Sequence, residues 1–73
     1  QADPKQYKLL AGNAVAAALG SDTCVKMWVK QARDAGITTP EIVEAIMVAR
    51  YMKQAVVNDT VANTLSLISE NKL

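Results

Sequence analysis

One cysteine and no histidine stand in a chain of 73 residues, and that scarcity narrows what the chain can fold into. A domain this short buries a small fraction of its surface and lies close to the lower limit for a lone core. Disulfides, a metal or contacts between subunits usually hold domains of this size. Cys24 has no partner cysteine within the chain, so an internal disulfide is excluded. A zinc or iron–sulfur site built from Cys and His lacks its donors. Assembly of several copies remains, and a homo-oligomer is expected. The length allows one domain over residues 1–73, for which no metal and no cofactor are expected.

The composition agrees with assembly. Hydrophobic residues make up 51% of the chain, with no Phe, one Trp and two Tyr, so the core must be aliphatic and rich in alanine. Eight basic and seven acidic residues are spread without a basic block, which gives no sign of a nucleic-acid surface. No apolar run approaches the roughly 20 residues needed to cross a bilayer, and no stretch reads as a signal peptide. A single free thiol fits a reducing, cytoplasmic setting. The chain opens on Gln1 rather than Met, so a trimmed or missing upstream segment is expected.

No Val, Ile, Thr or aromatic run alternates with period two, so an all-α fold without strands is expected. Asp3 before Pro4 caps a first helix running from about Pro4 to Leu19. Leu10, Ala14, Ala17 and Ala18 share a face of it, while Gly12 and Asn13 weaken its middle. Gly20 ends it. A second helix runs from Asp22 or Thr23 to Ala35, with Cys24, Trp28, Ala32 and Ala35 on one stripe and Gly36 as its stop. Thr38 and Glu41 fit a capping box that opens a third helix, from Thr39 to about Lys53. Ile42, Ala45, Ile46, Ala49 and Met52 give that helix one apolar stripe, and Val43, Met47 and Tyr51 a second. A helix apolar on two sides is normally buried on two sides. In so short a chain the second side is expected to meet another subunit. A fourth helix from about Val56 to Glu70 completes the expected antiparallel bundle, although no Gly or Pro forces a turn before it.

The run AAALGSDTCVKMWVKQARDAGITTPEIVEAIMVARYM, from Ala16 to Met52, resembles the carboxymuconolactone decarboxylase and alkylhydroperoxidase D-like family. That family's core reads roughly as an Ala-rich helix ending in Leu-Gly, then C-D-x-C-x-x-x-H, then a helix ending in Ala-Gly, then Thr-x-x-Glu-Ile. Leu19-Gly20, Asp22, Cys24, Ala35-Gly36, Thr38, Glu41 and Ile42 match it here. The resemblance implies a small helical bundle assembled as trimers or hexamers. The redox members carry two cysteines, a nearby histidine and a glutamate on the preceding helix. A helix N-terminus favours thiolate by roughly 0.3–1 kcal/mol, a second thiol closes a disulfide after oxidation, and histidine and glutamate relay the proton.

This chain departs from that pattern at three places. Ser21 stands where the first cysteine belongs, and Trp28 where the histidine belongs. An indole N–H donates but cannot accept a proton near neutral pH. Lys8, Leu9 and Leu10 occupy the region of the expected glutamate. The decarboxylase branch also resembles a histidine-bearing pattern, and this chain has no histidine.

Two readings of the candidate residues follow. In one, Cys24 is a nucleophilic monothiol with the Ser21 hydroxyl as hydrogen-bond donor, and the chain is a thiol peroxidase or oxidoreductase that uses an external thiol. In the other, Cys24 is a small apolar residue facing the core, and the chain is a homo-oligomeric module that has lost the family's two-cysteine activity. Trp28 either walls a small-molecule pocket or belongs to the core or a subunit interface. Glu44, set in the apolar third helix, is a candidate binding carboxylate or the partner of a neighbouring cation. Met27, Met47 and Met52 share no metal-ligand spacing and read as packing residues.

Overall fold

A computed structural model describes residues 3–72; Gln1, and the expectation attached to it, lies outside them. Three α-helices follow one another, α1 over Pro4–Leu19, α2 over Asp22–Asp34 and α3 over Thr39–Ser69, with no strand among the described residues. The all-helical expectation therefore holds, with three helices rather than four.

The helix boundaries have local causes. The Asp3 carboxylate accepts from the Lys5 amide at 3.0 Å, which satisfies a donor that the first turn leaves open. At the other end of α1, Gly20 adopts φ 71°, where a side chain would be strained. The Gly20 amide then reaches the Ala17 carbonyl, and the Ser21 amide the Ala16 carbonyl, a pattern that closes helix ends. Ser21 also caps α2, its hydroxyl oxygen accepting from the Cys24 amide at 3.2 Å. One residue thus finishes one helix and starts the next, and two residues suffice for the turn.

The α2 end repeats this device. Gly36 at φ 84° lets the Ile37 amide reach the Ala32 carbonyl at 3.0 Å. Ile37 and Ala32 are both buried, so the turn itself forms part of the core. Thr38 and Glu41 then form the expected capping box. The Thr38 hydroxyl accepts from the Glu41 amide, and the Glu41 carboxylate accepts from both the Thr38 amide and hydroxyl.

The expected break between a third and a fourth helix does not occur, because α3 runs unbroken for 31 residues. Lys53–Gln54 and Asn58–Asp59 are polar, yet nothing in them interrupts the ladder of backbone bonds. The Thr60 and Thr64 hydroxyls donate to the carbonyls of Val56 and Thr60, four residues back. That settles their polarity within the helix rather than ending it.

The core is small and lies where α1, α2 and the first half of α3 meet. Leu9, Ala32, Ile37 and Ile42 form its centre, and Leu10, Trp28, Val29, Ala35 and Ile46 pack around them. Ala16 and Ala49 are buried as well. From Tyr51 onward every described residue of α3 is exposed except Leu67, which is half-buried. The outer half of α3 therefore projects from the core with apolar side chains uncovered on several sides.

Candidate functional site

The residues that carry the thiol motif lie on α2 and the turn before it, beside the α1–α2 crossing. Cys24 is in the first turn of α2 and half-buried. Its amide donates to the Ser21 oxygen, so the Ser21 hydroxyl acts as a helix cap beside the cysteine. One turn later Trp28 is half-buried against the central core residues.

Trp28 reaches α1 at Gly12. A Cβ built on Gly12 would run into the indole ring at Cε3, Cζ3 and Cδ2. The glycine that the sequence marks as a weak point is the place where α1 makes room for the tryptophan. Its neighbour Asn13 is completely buried, 0% exposed. The Asn13 amide Nδ2 donates to the Leu9 carbonyl at 2.8 Å and across the crossing to the Trp28 carbonyl at 3.3 Å. Two carbonyl acceptors fix which way this amide points. Its Oδ1 has no partner among the described residues, which costs about 1–3 kcal/mol. Sequence reasoning missed both residues as contacts. The signal was present, since a Gly-Asn pair is a poor choice for a helix interior, but which element needed the space shows only in three dimensions.

Leu9, in the region where the redox pattern calls for glutamate, is 5% exposed and belongs to the core centre. Lys8 is exposed and Leu10 half-buried.

An apolar concavity lies elsewhere. A groove of about 520 Å³ runs between α1 and α3, lined by Leu10, Ala11, Ala14, Glu41, Glu44, Ala45 and Val48. Its walls are mostly apolar and its alanines leave it wide. Glu44 thus lies on this groove, apart from Cys24, Ser21 and Trp28, none of which lines it. Among the described residues the ion pairs are Lys30–Asp34 and Lys72–Glu70, so the neighbouring cation expected for Glu44 is absent there. A smaller hollow of about 240 Å³, lined by Lys5, Leu9, Gln31, Asp34 and Ala35, also excludes the thiol residues. Glu41, on the groove rim, has its carboxyl held below the usual value of 4.5, first by the Thr38 hydroxyl and then by the Thr38 amide.

No match was found among the curated proteins or among the solved structures. The model of the carboxymuconolactone decarboxylase family matches residues 3–62, which takes in α1, α2 and most of α3 and extends well beyond the run from Ala16 to Met52. The chain belongs to the carboxymuconolactone decarboxylase family.

Proposed function

We propose that the chain is a homo-oligomeric helical module of its family that lacks the two-cysteine peroxidase activity. The observation that carries this reading is the Trp28 ring packed on the Gly12 backbone, at the position where redox relatives hold a histidine. Leu9 in the core centre and Ser21 as the cap of α2 support it in the same way. All three have structural tasks, and none is a base near neutral pH. With no second cysteine in the chain, an oxidised Cys24 has no internal resolving thiol.

The rival reading, a monothiol peroxidase, draws support from the incomplete burial of Cys24. In that chemistry the sulfur attacks one peroxide oxygen and becomes sulfenic acid as water or alcohol leaves. An external thiol then condenses with it, releasing water, and a second external thiol attacks this mixed disulfide, returning Cys24 as a thiol while the two external thiols leave as a disulfide. Peroxide consumption with added thiol, compared between the native chain and Cys24→Ser, separates the two. The module reading expects equal rates, both at the level of the added thiol alone. A native rate tenfold or more above that of Cys24→Ser overturns it in favour of the rival.

A further inference from the structure

Two uncovered apolar surfaces lie on this chain, one concave and one convex. The concave one is the groove between α1 and the first half of α3, floored by Ala11, Ala14 and Ala45. The convex one is the stripe of Val57, Val61, Leu65 and Ile68 on the outer half of α3, each 50–60% exposed. We infer that the groove receives this stripe from a second copy of the chain. The inference rests on the oligomeric reading above and specifies which surfaces meet.

The first argument is area. The chain exposes 5607 Å², whereas a compact protein of 7.8 kDa exposes roughly 4,400 Å². The excess, about 1,200 Å², matches the lower end of stable protein interfaces. The radius of gyration, 16.8 Å, exceeds the roughly 11 Å of a compact chain of this length. The projecting half of α3 is the source of both.

Charge and shape give the second argument. Residues 54–69 contain one charged side chain, Asp59. A helix facing water is normally polar over most of its circumference. Asp59 lies two residues past Val57 and two before Val61, about 200° around the helix from each, on the side of α3 away from the stripe. No acid therefore approaches Glu41 and Glu44 when the stripe enters the groove. Large side chains four and three residues apart are the usual anchors of a helix lying in a groove, and alanines leave room for them.

The third argument is direction. Val48 lines the groove, and Val57 lies nine residues on, at about 100° per residue. The stripe therefore points to the opposite side of α3 from the groove. A straight helix cannot bring its own stripe to its own groove, so the partner must be another molecule. Two unlike patches can pair reciprocally across a two-fold axis, each groove taking the other copy's stripe, or head-to-tail around a ring.

The test uses full chains in a Cys24→Ser background. One carries Ala11→Cys in the groove and the other, differently tagged, carries Leu65→Cys on the stripe; both sites are exposed. The two are co-expressed, oxidised mildly at micromolar concentration, and sized by sedimentation. The expected result is an oligomer in which disulfides join one variant to the other, at least tenfold above either self-pair. Self-coupling of Leu65→Cys at a comparable yield overturns the inference, since the stripe then pairs with itself. An oligomer without mixed coupling also overturns it, while leaving the oligomeric reading intact. A monomeric mass with no coupling overturns both.

Discussion

Gly12 and Asn13 form the contact on which the α1–α2 crossing turns. A glycine inside a helix costs about 1 kcal/mol relative to alanine, so Gly12→Ala in an isolated helix would stabilise. Here the added methyl meets the Trp28 ring, and overpacking of that kind costs about 1–3 kcal/mol. Gly12→Ala should therefore lower the melting temperature, whereas in a Trp28→Ala background the same change should raise stability by about 1 kcal/mol. Chemical denaturation of the four proteins checks this, and the same sign in both backgrounds would contradict the contact. Little of this was legible in the sequence. Cys24, Ser21 and Trp28 were singled out from motif spacing, but the residue facing Trp28 lies on another helix, and spacing within one helix carries no information about it. Glu44 was singled out for its apolar surroundings, and the structure sets it on a groove rather than beside the thiol.

At the level of elements, the reading from sequence succeeded where a boundary has a local cause. Asp3-Pro4, Gly20-Ser21, Gly36 and Thr38-x-x-Glu41 each close or open a helix through neighbours in the chain, and α1 spans the expected residues. It fails at residues 53–59, where the polar pairs suggest a break although no Gly or Pro forces one. The capping box carries a pH dependence of its own. The Glu41 carboxyl is held below 4.5 by the Thr38 hydroxyl and then by the Thr38 amide. Such a group stabilises the fold above the unfolded value, and the contribution disappears as pH falls through the lower folded value. Glu41 is exposed, so solvent screening keeps the effect small. Glu41→Ala should lower the melting temperature by a few degrees at pH 6, and the gap to the native chain should close as pH falls below the carboxylate range. A gap that persists unchanged at pH 2.5 would show that the ionised carboxylate is not its source.

At the scale of the whole molecule, the proposal makes the chain one part of an assembly. The stretch of α3 from Tyr51 to Ser69 is rich in Val, Thr, Asn and Ser, weak helix formers that depend on packing for stability, and here little of it packs on the chain's own core. The sequence raises an expectation of oligomerisation through a shortage of core and a helix apolar on two sides. Which surface was left bare was not legible, because it depends on α3 continuing straight past residue 53. Amide exchange should reveal the dependence on assembly. Amides from Val56 to Leu67 should be protected at high micromolar concentration and lose most of that protection on dilution, while those around Ile42 and Ala49 stay protected longer. Equal protection at all dilutions, in a chain sedimenting as a monomer, would contradict this picture.

The proposal that the thiol crossing serves packing rather than thiol chemistry is best tested at the sulfur itself. The rate of Cys24 alkylation by iodoacetamide at neutral pH, native against denatured, reads both exposure and activation in one number. A half-buried cysteine beside a capping serine and a packed indole should react no faster folded than unfolded. A folded rate tenfold or more above the unfolded one would mean that the site still activates its thiol.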